Sequence, residues 1–181
     1  GHDIVFWSLG LCYKPPHSNF RVPLHSDSHF WIEWNILEPL EVLGLFIPLT
    51  EMTKASGCLR ILPAVNEATM YRHRRVDERY NFFANEIDDP SVELGKLIDI
   101  EMQPNRVCIF RENAVHSSEA NTTSTARLGL TLRYISARTR YLSHSKDGHR
   151  LYLLQGKNIA NNPCDDLNSL PRVGGFSWSK T

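Results

Sequence analysis

The sequence predicts a mainly β domain, a double-sheet jelly roll or barrel interrupted by one long insertion. Three observations carry that prediction. Short apolar or alternating runs recur from Asp3 to Ile135, turn residues separate several of them, and residues 63–95 are polar and charged. The runs Asp3–Trp7, Val42–Leu49, Cys58–Leu62, Ile98–Met102, Val107–Phe110 and Leu128–Ile135 are rich in β-branched and aromatic residues, which suit a half-buried pleated surface. Lys14-Pro15-Pro16, Ala55-Ser56-Gly57 and Gln103-Pro104-Asn105 supply the turns. The insertion contains Arg72-His73-Arg74-Arg75 and Asp88-Asp89-Pro90, and is expected to be partly helical and to cover a site. The tail beyond Gly156 reads as irregular.

Size and charge limit the function classes. A chain of 181 residues, 41% of them hydrophobic, suits one domain with its own core. Twenty basic residues balance twenty acidic ones, so no overall field attracts nucleic acid or anionic lipid. No apolar run approaches the ~20 residues of a membrane helix, and residues 1–20 lack the order of a signal peptide. A cytoplasmic protein acting on a small molecule is the expectation; oligomeric state is not legible. Cys12, Cys58, Cys108 and Cys164 form no CxxC pair, which argues for reduced thiols rather than a zinc ribbon.

The stretch Val22-Pro23-Leu24-His25-Ser26-Asp27-Ser28-His29 is the most informative. Read as a strand, it places His25 and Asp27 on one face, an imidazole and a carboxylate that could share a divalent metal. His116, following a strand that ends near Phe110, is the natural third ligand. Two histidines and one carboxylate leave coordination positions open, as in non-haem Fe(II) oxygenases. His-x-Asp alone also fits an ordinary polar strand face. His29 shares that face, as a substitute ligand, a partner behind the ligands or a wall of the cavity. His2, His17, His73, His144 and His149 show no ligand spacing and read as surface residues.

The run from Arg127 to Tyr134 alternates. Leu128, Leu130, Leu132 and Tyr134 form one face; Arg127, Gly129, Thr131 and Arg133 form the other. The polar face is either solvent-facing or the wall of a polar cavity, where an arginine fork can grip a carboxylate.

These residues together resemble the phytanoyl-CoA dioxygenase family of Fe(II)- and 2-oxoglutarate-dependent oxygenases. The resemblance runs from about Asp3 to about Gly156. It rests on Lys14-Pro15-Pro16, Pro23-Leu24-His25-Ser26-Asp27, Leu45-Phe46-Ile47-Pro48-Leu49, Ser56-Gly57-Cys58-Leu59-Arg60-Ile61-Leu62-Pro63, Val115-His116-Ser117-Ser118 and Arg127. It implies a double-stranded β-helix (cupin-like jelly roll) with flanking helices and a lid. His25, Asp27 and His116 become the iron ligands, and Arg127, with Ser118, binds the distal carboxylate of 2-oxoglutarate. Phe46 and Gly10 fall near the co-substrate by the same resemblance. His29, Arg60 and Arg133 are candidates for substrate contact.

The implied cofactors are Fe(II), 2-oxoglutarate and O2, with ascorbate as an in vitro reductant. The implied activity is hydroxylation, or another oxidation, of an unactivated C–H in a small molecule, expected in natural-product tailoring. Phytanoyl-CoA-type acyl hydroxylation and a non-catalytic jelly-roll binding module are the alternatives. Asp27 occupies the position that halogenating relatives fill with a small residue, which disfavours halogenation. Pro63-Ala64-Val65-Asn66 departs from the family's usual Pro-Gly-Ser-His. Residues 1–181 are expected to form a single oxygenase domain, without the helical segment that precedes this region in relatives or with loops omitted.

Overall fold

The computed structural model describes residues 2–63, 71–142 and 149–167. Its strands are β1 (Ile4–Lys14), β2 (Val22–His25), β3 (Leu37–Glu38), β4 (Val42–Pro48), β5 (Leu59–Ile61), β6 (His73–Arg75) and β7 (Asn85–Ile87). They continue as β8 (Ile98–Ile100), β9 (Cys108–Arg111), β10 (His116–Ser118), β11 (Arg127–Ser136), β12 (Arg140–Tyr141), β13 (Leu151–Gln155) and β14 (Cys164–Asp166). Among the described residues, helix is confined to α1 (Asp27–Glu33) and a 3-10 turn at Leu94–Lys96. None is long and apolar enough to cross a membrane.

Two sheets make the jelly roll. The larger has the order β14-β13-β1-β11-β4-β9 and the smaller β2-β10-β5-β8. The first strand runs further than its apolar start suggests. Beyond Trp7 it continues antiparallel to β11, pairing Gly10 with Thr131 and Lys14 with Arg127. Its inward positions are glycine, cysteine and lysine, so no apolar alternation marks the core face. The three turns expected from Pro, Gly and Asn all form. Gly57 adopts φ +73°, where a Cβ would lie 2.2 Å from the Glu119 carbonyl oxygen.

The segment from Asp27 folds as helix, not strand. Burial of Phe30 and Trp31 against the core holds α1, and its C-terminus is closed by a Schellman motif. Asn35 takes φ +50°, Asn35 N–H donates to Ile32 O, and Ile36 N–H donates to Trp31 O at 3.0 Å. The described part of the insertion is not α-helical. It forms the β6–β7 hairpin, tied down where Arg21 N–H donates to Tyr80 O and Phe82 N–H to Arg21 O. The Ala64-Val65-Asn66 departure and His144 lie outside the described residues, as does the tail from residue 168.

Three apolar clusters surround the interior. One gathers Val5, Trp7, Trp31, Val42, Ile135 and Leu151, a second centres on Phe46, Met52 and Leu59, and a third on Leu24, Ile87 and Val115. The four cysteines are free thiols, each raised in pKa by burial.

Gly57→Ala should lower stability by at least ~1–2 kcal/mol, because an L-residue is disfavoured at this φ and its methyl meets backbone. Thermal unfolding measures the loss; an unchanged melting temperature contradicts the turn geometry.

Candidate metal centre

Antiparallel pairing of β2 with β10 sets His116 directly opposite His25, and the two rings lie 4.1 Å apart between centroids. The chain then leaves the sheet through Ser26 and turns into α1, whose first residue is Asp27. The expectation that His25 and Asp27 share a strand face is therefore corrected. They converge across a strand-to-helix corner, with His25 Nε2 3.5 Å from Asp27 Oδ1. Donor atoms of His25, Asp27 and His116 all lie within 4.8 Å of one another, and all three residues are buried.

The hydrogen bonds orient both imidazoles for metal. His25 Nδ1 lies 2.8 Å from Pro23 O and His116 Nδ1 2.9 Å from Ala114 O. Carbonyls accept only, so Nδ1 carries the proton in each ring and Nε2 presents a lone pair. Burial, and then the neighbouring His25, pushes the His116 pKa down to about 4, so its imidazole is neutral at pH 7. Burial alone would raise the Asp27 carboxyl, but the His25 ring beside it and the Arg133 guanidinium carry it well below the usual carboxylate range. Two imidazoles and one carboxylate form a donor set that fits a divalent transition metal.

Arg133 belongs to this cluster. Its Nη2 lies 3.3 Å from Asp27 Oδ2, and its guanidinium sits over the Trp31 ring at 5.4 Å. It holds the oxygen opposite the one facing His25. Sequence reading placed Arg133 on the correct face of β11 but did not connect it to Asp27. The helical turn that brings the two together is not visible in a strand pattern.

The other end of the β11 inner row is also basic. Arg127, 2% exposed, donates through Nε and Nη2 to Gly57 O, through Nη2 to Ser118 Oγ at 2.8 Å, and through Nη1 to Cys12 O at 3.4 Å. Four of its five N–H groups are thereby engaged, and one Nη1 N–H remains. Phe46 lies under the guanidinium at 5.6 Å. Gly10 faces Thr131 so closely that a Cβ would come within 2.8 Å of its methyl, and Gly129 is pressed by Met52 and Phe46. The strands on either side of Arg127 therefore pack this closely only because glycines occupy these positions. Lys14, read from sequence only as part of a turn, is 2% exposed. Its ammonium donates to Ser118 O, Phe20 O and Glu119 O, and burial pushes its pKa down to about 7. The signal for it was a lysine closing a strand immediately before Pro-Pro.

The remaining candidates lie elsewhere. His29 is on α1, its ring stacked on His73 at 3.8 Å with Nε2 3.7 Å from Glu33. Arg60 is held by Asp99 at 3.0 Å and Glu119 at 2.9 Å, on the opposite face of β5 from the neighbours that pack inward. His73 is therefore part of a half-buried stack rather than a free surface residue, and His149 lies against Trp7 O, whereas His2 and His17 are exposed. Phe83, from the insertion, packs its ring 4.7 Å from that of His25. Every arginine and lysine described between residues 71 and 97 meets a carboxylate of the same segment: Arg72 Asp88, Arg74 Glu86, Arg75 Glu78, Arg79 Asp77 and Lys96 Glu93.

The metal-free protein should lose stability in mild acid. His116 takes up a proton near pH 6.5 when unfolded but only near pH 4 when folded, so the unfolded state gains protons first as pH falls. The loss is roughly 2 kcal/mol between about pH 7 and pH 5. Asp27 adds to it further down, since its depressed pKa stabilises the fold above the ordinary carboxylate value and that contribution disappears in stronger acid. Urea unfolding at the two pH values checks this, and His116→Gln should flatten the difference.

The family model for phytanoyl-CoA dioxygenase (PhyH) matches residues 2–129. "Phytanoyl-CoA dioxygenase 1" of Oryza sativa subsp. japonica is 24% identical over 123 residues, 68% of this chain and 42% of the relative. The corresponding Arabidopsis thaliana protein is 24% identical over 157 residues, 83% of this chain and 53% of its own. The chain thus spans about half the length of these curated relatives. Among solved structures, the apo form of the non-heme monooxygenase ThoJ superposes with TM-score 0.72 at 19% identity, covering 92% of this chain and 57% of that one. EvdO2 from Micromonospora carbonacea var. aurantiaca, complexed with 2-oxoglutarate, gives 0.61 at 21% identity over 73% of this chain and 52% of that one. The two structures share the jelly-roll fold, and the family match over most of the chain shows that this protein belongs to the phytanoyl-CoA dioxygenase family.

Proposed function

We propose that the chain is an Fe(II)- and 2-oxoglutarate-dependent oxygenase acting on an unactivated C–H of a small molecule. The observation that carries this reading is the pairing of a buried two-histidine, one-carboxylate cluster with a buried arginine along one inner face of β11. His25, Asp27 and His116 would hold the metal, and Arg127 with Ser118 the far carboxylate of the co-substrate. When bound, the iron and 2-oxoglutarate supply O2 activation coupled to decarboxylation of the co-substrate to succinate.

The chain's own residues do the rest. Pro23 O and Ala114 O fix the imidazole tautomers, and Arg133 keeps Asp27 ionised and aimed. Phe46 packs beneath Arg127, and the two buried basic side chains Arg127 and Lys14 make that end of the interior favourable for a carboxylate. Phe30, Phe83 and Phe110 surround the histidine rings and keep water from the metal side.

A free small molecule, as in tailoring chemistry, suits the site better than an acyl-CoA. The insertion's arginines are occupied by its own acids and offer no unpaired charge to phosphates.

Asp27→Ala and His116→Ala should each abolish Fe(II)-dependent conversion of 2-oxoglutarate to succinate, with ascorbate present, as read by mass spectrometry; normal turnover in either refutes the metal assignment. Arg127→Lys retains charge but loses the fork, and should raise the KM for 2-oxoglutarate on the order of 10–100-fold with a smaller change in kcat. A KM that stays unchanged in a folded variant removes Arg127 from co-substrate binding.

A further inference from the structure

A groove of about 580 Å³ lies between α1 and residues 78–85 of the insertion, within the range of small-molecule sites. Its wall is a continuous arc of five aromatic rings. Phe20 meets Phe82 edge-on at 6.3 Å, Phe82 meets Phe83 edge-on at 4.8 Å, Phe83 meets Phe30 at 4.6 Å, and Phe30 meets Trp34 at 5.6 Å. The middle of the arc packs against the candidate metal centre, where Phe83 and Phe30 lie 4.7 and 6.0 Å from the His25 ring. Two of the rings, Trp34 and Phe82, are 59% and 63% exposed and present apolar surface to the groove.

The charges on this groove have one sign. Glu33 and Glu78 line it, with Asn81 and Asn85, and no lysine or arginine does. Among the described residues, Glu33 is met only by a His29 ring nitrogen at 3.7 Å, and Glu78 only by Arg75, in a pair exposed on both sides and easily exchanged. Aromatic faces carry negative potential, so a ring arc edged by carboxylates attracts an organic cation and repels an anion.

We infer that this groove is the substrate subsite, and that the substrate is an apolar small molecule bearing an ammonium group. The cation rests on the Phe and Trp faces near Glu33, and the apolar body lies against Phe83, whose ring packs on His25. The assignment of this ligand to the oxygenase reaction rests on the function proposed above; the binding chemistry of the groove does not.

The test uses three benzyl compounds of different charge on the metal-free protein: benzyltrimethylammonium, benzyl alcohol and phenylacetate, with affinities from titration calorimetry or ligand-observed NMR. The ammonium should bind about tenfold tighter than either of the others. Trp34→Ala, at an exposed position, should remove most of that advantage without altering the melting temperature, and Phe83→Ala should do the same where it folds. Glu33→Gln should weaken the ammonium and leave benzyl alcohol unchanged. Equal binding of the three, or an unaltered preference in Trp34→Ala, overturns the inference. Iron-dependent succinate formation is measured separately. Ammonium preference without succinate would remove the oxygenase reading and leave the groove, whereas succinate without ammonium preference would do the reverse.

Discussion

Facing in an antiparallel ladder has a period of two, so one residue of slip between β2 and β10 would turn either His25 or His116 away from the interior. Everything at the centre depends on that register. It is held on both sides of β10, since β5 pairs through His116 with Ile61 and Ser118 with Leu59. Lys14 adds a third restraint from a different sheet, because its ammonium binds the carbonyls of Ser118 and Glu119 at the far end of β10. A buried lysine is costly unless its donors are satisfied, and here three carbonyls satisfy them. The same side chain thereby fixes the strand that carries both a metal-ligand candidate and the Arg127 partner Ser118.

Burying Asp27 creates a second requirement. An unpaired carboxylate at this depth would neutralise itself by taking up a proton, and a protonated Asp27 has little to offer a metal. Arg133 prevents this, and Trp31 in turn supports Arg133 from beneath. Trp31 is packed edge-on against Trp7 at 4.9 Å in the largest apolar cluster. The metal side of the interior is thus coupled to the core through one aromatic residue. Its removal would cost packing and the carboxylate's partner together.

The sheet, its turns and the identity of the metal cluster were legible in the sequence because each left a local signature: alternation, Pro and Gly punctuation, and family-like motifs in order. The helix at Asp27 was not. Its seven residues are too few for a 3.6-residue period to emerge, and what closes it is Asn35 at positive φ, a feature of backbone rather than composition. The Asp27–Arg133 pair was illegible for the same reason, since it joins residues far apart in sequence across that corner. The pairing of the insertion's arginines was legible only in part: Asp77 and Glu78 stand close in sequence to Arg79 and Arg75, whereas only the β6–β7 hairpin brings Glu86 back to Arg74.

The alternation along β11 illustrates how far polarity can mislead about facing. Its leucine face pairs with Leu9, Leu11 and Tyr13 of β1, which are more than half exposed, while its arginine face is buried. Hydrophobic burial alone would favour the opposite orientation. The observed one persists because the inner face meets more than apolar neighbours: carbonyls of Gly57 and Cys12 receive Arg127, Asp27 receives Arg133, and glycines at 10 and 129 let Thr131, Met52 and Phe46 pack close. Replacing both arginines by leucine would make the strand a better apolar surface, yet it would strand Asp27 and those carbonyls without donors. The polarity of β11 is therefore a consequence of building a charged interior, and the apolar outer face is the side left over.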